Sequence, residues 1–169
     1  MKRIKGFIFA SIRFLSTKYA KLKVGSYGKR FTVNFPSFFT PLTFVGDYCH
    51  FNGIKIRGGG NCFIGSYFHS GDEILIFTQN HNYAAPTLLP YDDADVFKDV
   101  RIGKYVWFGS RVTILPGTII GDGCVIQAGA VVGGTYAENA VIGGNPAKIY
   151  KFRNHDLVRR LVQEGKFLQ

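Results

Sequence analysis

The sequence predicts an all-β chain of stacked parallel coils with a helical segment at each end. The first observation is a period: from Ile102 onward, large apolar residues recur at every sixth position, as Ile102, Phe108, Ile114, Ile120, Ile126 and Val132. Second, glycine directly follows four of them, at Gly103, Gly109, Gly121 and Gly133. Third, the fifth position of the hexads is mostly small or β-branched, at Val106, Val112, Thr118, Cys124 and Ala130. An amphipathic helix would repeat at three and four residues, and a lone strand would alternate. Neither yields a period of six. A short strand and a tight turn, repeated, does yield it, with the lead residue inside the coil and glycine permitting the turn's backbone angles. Coils of this kind pair their strands in parallel, about 4.8 Å apart, and each buries the face of the next.

In chain order, residues 1–23 form a basic amphipathic segment carrying Lys2, Arg3, Lys5, Arg13 and Lys18. Arg13 interrupts its apolar run before a bilayer could be spanned. The core from Phe7 to Ile12 sits at the short limit for a secretory signal. One reading lays the segment on an anionic membrane with Ile4, Phe7, Ile8 and Phe14 buried; another packs it over the end of the coils or on an adjacent subunit. Residues 24–150 hold the coils. Val24-Gly25-Ser26 opens the first, and the aromatic stretch Phe31 to Phe44 caps or widens it. Val45-Gly46-Asp47, Phe51, Ile64-Gly65-Ser66, Ser70 and Ile76 mark earlier, less regular coils, with a register break at Arg57 to Gly60. Residues 80–99 contain no hexads but hold Pro86, Pro90, Asp92, Asp93 and Asp95, which reads as a functional excursion loop. Residues 151–169 read as a short helix packing back on the coils, with Asn154 as N-cap, an apolar face of Leu157, Val158, Leu161 and Val162, and Gly165 as its end.

Composition bounds the function. The 169 residues, 46% apolar and 19% charged, suit one globular domain rather than a disordered chain. Cys49, Cys62 and Cys124 form no CxxC pair, so no disulfide framework or zinc ribbon is expected and a reducing compartment is the default. A net charge of +10 suits nucleic acid, an anionic membrane or a phosphorylated small molecule. No nucleic-acid motif accompanies the charge, and that partner is set aside.

Three runs carry a family resemblance: Val106-Trp107-Phe108-Gly109-Ser110, the stretch from Ile114-Leu115-Pro116-Gly117 to Gly121-Asp122, and Gly144-Asn145-Pro146-Ala147-Lys148. Within a span from Val45 to Lys151, they resemble the hexapeptide-repeat acyltransferases. The similar branch holds galactoside, maltose and Nod-factor O-acetyltransferases and many capsule and lipopolysaccharide acetyltransferases. The resemblance implies a left-handed parallel β-helix assembled as a homotrimer with active sites between subunits. It also implies acetyl-CoA as cosubstrate, no required metal, and transfer to a sugar hydroxyl in surface-polysaccharide synthesis. The expected location is the cytoplasm, with the inner face of the cell membrane as a further option through the basic N-terminal segment.

Such transfer needs a base, because an alcohol near neutral pH is a poor nucleophile until its proton is taken. Histidine suits the task, and four are present: His50, His69, His81 and His155. By resemblance His81 is the general base, directly after a coil. Asn52 then contacts the acceptor, and Trp107 packs on sugar or pantetheine. Gly109 and Ser110 approach the thioester, the Ser110 N–H as oxyanion donor. Ala128, Gly129, Gly133 and Gly134 would line a groove for pantetheine, with Pro146, Lys148, Lys151 and Arg153 at the nucleotide end. Gly133-Gly134-Thr135 stands where the family often has Thr-Lys-Asp, which removes one candidate phosphate contact. The cysteines are core residues and transfer is direct, in a ternary complex. Alternatives are N-acetylation of a nucleotide-linked amino sugar, a noncatalytic β-helix scaffold, and a zinc carbonic anhydrase on a similar β-helix. The last needs three converging histidines, and no close histidine pair occurs.

Overall fold

A computed structural model describes residues 2–168, with side-chain surroundings from residue 9 onward. Helix α1 (Lys2–Lys21) leads into six coils. The first coil holds β1 (Ser26–Tyr27) and β2 (Thr32–Val33), and its third side is a single bridge from Phe38 to Lys55. The second holds β3 (Thr43–Val45), β4 (His50–Phe51) and β5 (Ile54–Arg57); the third, β6 (Cys62–Ile64), β7 (His69–Ser70) and β8 (Ile74–Phe77). An arm then leaves the stack as β9 (Gln79–His81) and returns as β10 (Asp95–Phe97). The fourth coil is β11 (Val100–Ile102), β12 (Trp107–Phe108) and β13 (Thr113–Ile114); the fifth, β14 (Ile119–Ile120), β15 (Val125–Ile126) and β16 (Val131–Val132). The sixth contributes β17 (Thr135–Tyr136) and β18 (Ala140–Gly144), followed by the return strand β19 (Ala147–Phe152) and helix α2 (His155–Gln163).

Parallel pairing stacks these strands into three faces. The first runs β1-β3-β6-β11-β14-β17, the second β2-β4-β7-β12-β15-β18 and the third β5-β8-β13-β16. Every hexad lead residue, Ile102, Phe108, Ile114, Ile120, Ile126 and Val132, is buried inside this prism. So are the fifth-position residues Val106, Val112, Thr118, Cys124 and Ala130. Two positions per hexad therefore fill the core, which is why the period shows in the sequence. From the first coil to the fourth, larger rings occupy the same interior: Phe31, Phe39, Phe51, Phe68 and Phe108 meet at centroid distances between 5.0 and 5.7 Å. In the first coils these rings replace the smaller residues of the regular hexads, which blurs the period there. At the other end the Tyr136 hydroxyl lies 3.1 Å from Gly133 O and 3.0 Å from Ala147 O, closing the last coil.

Three expectations need correction. The glycine after each lead residue does not supply unusual backbone angles. At Gly109 an added Cβ would stand 2.6 Å from the Ala128 nitrogen of the next coil, so glycine is required by stacking distance. Left-handed backbone falls two residues later, at Arg111, Gly117, Gly123 and Gly129. Nor is the excursion a plain loop: its stem is an antiparallel pair with Asp95 opposite His81 and Phe97 opposite Gln79. Finally, residues 151–152 belong to β19 and not to the terminal helix. Their backbone pairs with Val141 and Ala140 of β18, which outweighs helix formation before the Asn154 cap. That cap forms as expected, its side chain accepting from Leu157 N at 2.9 Å. No residue of α2 is buried, and the tail is anchored instead by Phe167, stacked on Tyr67 at 4.2 Å and Tyr105 at 5.0 Å.

Candidate functional site

His81 sits at the end of β9, where the arm leaves the corner between the third and first faces. Its ring lies parallel to Tyr91, 4.0 Å between centroids, and its Nδ1 is 3.8 Å from Asp95 Oδ1. The side chain is 54% exposed. The imidazole is thus held between an aromatic plane and a carboxylate while remaining open to a substrate. A carboxylate on the Nδ1 side, once it closes to hydrogen-bond distance, would keep a proton there and leave Nε2 as the basic nitrogen. The separation is longer than a hydrogen bond, as is common for catalytic contacts before substrate binds. In the sequence Asp95 is one of three acidic residues in the excursion, and only the strand register singles it out. Asp92, by contrast, ties the arm together: it accepts from Thr87 N at 2.9 Å, Asn82 Nδ2 at 3.0 Å and Ala94 N at 3.1 Å. The Thr87 N–H bond chiefly holds its carboxyl below the usual range.

Asn52 and Trp107 lie elsewhere, on the second face and at its border with the third. Together with His69, Ser70, Arg153 and Phe167 they line a cavity of about 550 Å³. The Asn52 amide is fixed on three sides. Its Oδ1 accepts from Asn34 Nδ2 at 2.6 Å and lies 3.0 Å from His50 Nε2, and its Nδ2 donates to Ser70 O at 2.7 Å. One Nδ2 hydrogen is left for a ligand. His50, whose Nδ1 is 2.6 Å from Thr32 Oγ1, therefore buttresses Asn52. Burial pulls its pKa below the ordinary value, which favours the neutral ring. Trp107 projects from the same face, 54% exposed, between His69 and Val125. His69 Nε2 is buried with no hydrogen-bond partner among the described residues, a polar atom that sequence reading passed over.

Gly109, Ser110, Ala128 and Gly129 stack as turns on the corner between the second and third faces. The Ser110 carbonyl accepts from Gly129 N at 2.9 Å, and its hydroxyl accepts from Asp72 N at 3.4 Å. The same hydroxyl is the main cause holding the Asp72 carboxyl below its usual range. Gly133 and Gly134 lie on the other corner, with the arm. Leu115, beside Gly133, joins His81, Tyr83, Lys98 and Pro116 around a cavity of about 260 Å³. The turn holding Pro146 is tied to Gly133 through the Tyr136 hydroxyl, and Lys148 pairs opposite Gly143. Lys151 pairs opposite Val141, further along β19. Arg153 is separated from Lys148 by the length of β19, and its Nη1 donates to Gly123 O at 2.9 Å. The expected nucleotide-end group is therefore split, with Arg153 on the Trp107 side. Among the described residues no three His, Cys, Asp or Glu side chains converge as a metal-ligand set. Desolvation pushes the buried Cys49 and Cys62 thiols up to about 11 and about 12, which keeps them protonated and unreactive.

The period, the coils and a family model coincide on the same residues. Residues 99–134 match the model described as bacterial transferase hexapeptide (six repeats). These observations define the fold: the chain is a parallel β-helix, and its regular hexads are similar to the bacterial transferase hexapeptide repeat. Within that fold its similarities are to acetyltransferases. It is 37% identical over 129 residues to WbbJ of Escherichia coli K12, assigned to lipopolysaccharide biosynthesis as an O-acetyl transferase, covering 70% of this chain and 62% of that one. It is also 37% identical over 93 residues to a Mycobacterium tuberculosis chain assigned as an acetyltransferase, covering 54% of this chain and 27% of that one. The chain thus spans less than two thirds of the length of either relative. Galactoside acetyltransferase in complex with coenzyme A superposes with a TM-score of 0.70 at 25% identity, covering 82% of this chain and 70% of that one. The hexapeptide-repeat acetyltransferase of Vibrio cholerae does so with 0.71 at 25% identity, covering 80% and 78%.

Proposed function

We propose that this protein transfers an acetyl group from acetyl-CoA to a sugar hydroxyl in the building of a bacterial surface polysaccharide. The observation that carries the reading is His81, exposed on the arm and held by Asp95 and Tyr91. The similarity to WbbJ, over most of this chain, supports the reaction class.

His81 and the Trp107 group lie on different corners of one chain, so a site using both is completed by a second copy. In a homotrimer, one subunit supplies His81 and the Gly133–Gly134 corner. Its neighbour supplies Trp107, Asn52, Ser110 and the Ala128–Gly129 backbone. Pantetheine then lies along the seam, with Lys148 and Lys151 toward the phosphates. The Asn52 amide offers a polar contact to a sugar, and Trp107 offers a flat apolar face for its ring. His81 takes the proton as the acceptor oxygen bonds to the thioester carbon. The tetrahedral oxyanion meets the Ser110 N–H. Collapse breaks the carbon–sulfur bond, and the imidazolium returns the proton to the leaving thiolate. No metal enters these steps. The reaction belongs to the cytoplasmic side of the membrane, where acetyl-CoA is made.

Thiol release from acetyl-CoA, measured against a panel of sugars, amino sugars and oligosaccharides, tests the reading. Acceptor-dependent release is expected, reduced about 10²- to 10⁴-fold by His81→Ala. An acceptor that works through its amine would replace O-transfer with N-transfer. No release with any acceptor, together with no coenzyme A binding by calorimetry, would overturn the enzyme and favour a scaffold.

A further inference from the structure

Among its described side chains, helix α1 docks on the first coil by a narrow stripe. Ala20 is 1% exposed, and Thr17 Oγ1 both accepts from Val33 N at 3.0 Å and lies 3.3 Å from Val33 O. Small and polar residues make this contact. The large apolar residues Ile12, Leu15, Tyr19 and Leu22 follow one another at three- and four-residue spacing on the opposite side, and all are exposed, Leu15 by 64% and Leu22 by 82%. A helix serving only to cap the coils would turn this stripe inward.

Charge says what covers the stripe. The helix carries six Lys or Arg residues and no Asp or Glu. Basic side chains of the helix and of the turn after it flank the apolar ones: Lys18 Nζ lies 4.6 Å over the Phe14 ring and Lys23 Nζ 5.6 Å over the Tyr19 ring. An apolar ridge bordered by ammonium groups fits the boundary between acyl chains and anionic headgroups. No described helix is long and apolar enough to cross a membrane. We infer that α1, with the turn that follows it, lies in the plane of an anionic phospholipid surface and holds the coils against it through Ile12, Leu15, Tyr19 and Leu22. Such binding is independent of the acetyl-transfer reading.

Co-sedimentation of the full chain with vesicles of equal parts phosphatidylcholine and phosphatidylglycerol, beside pure phosphatidylcholine, tests this. Binding is expected to the mixed vesicles only and to weaken as salt is raised. The double variant Leu15→Ser/Leu22→Ser alters two exposed side chains and leaves the Thr17 and Ala20 contacts in place; a drop of about tenfold or more in the partition coefficient is expected. Lys18→Glu/Lys21→Glu is expected to abolish binding to the anionic vesicles. Recovery of the wild type in the supernatant would overturn the proposal, as would undiminished binding of the Leu15/Leu22 variant. A molar mass in solution that falls on Leu15→Ser/Leu22→Ser, without vesicle binding by the wild type, would assign the ridge to a second copy instead.

Discussion

Asp95 gives His81 what a solitary loop histidine lacks, a carboxylate 3.8 Å from its Nδ1. Asp95→Asn retains the shape but loses the charge, and kcat for acetyl transfer is expected to fall about 10- to 100-fold with KM for acetyl-CoA little changed. A comparable change in both parameters would instead indicate a disturbed arm. The sequence singles out His81, Trp107 and Ser110 as candidates because each sits in a run that resembles a family motif. Asp95 is not singled out, since its contact with His81 depends on the pairing of two strands across the arm. His69 is hidden for a similar reason: only the stacking of coils brings it beside Trp107. Buried thiols give a second prediction. The Cys62 pKa of about 12 lies above the ordinary value of 9.0, so between these pH values the folded state holds a proton that the unfolded state has lost. Stability is therefore retained below pH 9 and declines as pH rises toward 12, by at most about 1.4 kcal/mol per unit from this group. Chemical denaturation of wild type and Cys62→Ala across this range should show a shallower decline in the variant.

Among the elements, the coils answer to two separate demands on glycine, which one substitution each can tell apart. Gly109→Ala drives a methyl group into the Ala128 backbone, which cannot yield without spreading two coils. A loss of about 1–3 kcal/mol is expected. Gly129 has a φ of +75° and nothing within 4 Å of an added Cβ, so Gly129→Ala bears only backbone strain, about 1–2 kcal/mol. Urea denaturation of the two variants checks the contrast, and a neutral Gly109→Ala would remove the stacking argument. The regular coils are legible because two core positions recur in each hexad. The arm's stem is not, because Gln79-Asn80-His81 is polar throughout and shows no alternation. Residues 151–152 mislead for a related reason: β19 is exposed along nearly all its length and carries no buried face to mark it as a strand.

At the scale of the molecule, the proposed function divides the site between corners of two subunits and so makes assembly a condition for activity. His81→Ala and Asn52→Ala chains, each weak alone, are expected to recover part of the wild-type turnover when co-expressed. In a mixed trimer some seams receive an intact His81 from one subunit and an intact Asn52 from the next. Mixtures no more active than the single variants would place both groups in one subunit's own site.

The return strand β19 has a consequence for the company the protein keeps. Parallel coils are an open-ended template, since the last strand of each face presents the same unpaired amide edge that its predecessors used to recruit it. On the second face β19 reverses direction and occupies the β18 edge, so another chain cannot continue the stack in register there. The Ala147 carbonyl, fastened through Tyr136, holds the reversal in place. A fold that could elongate like a fibril is thereby given a last rung.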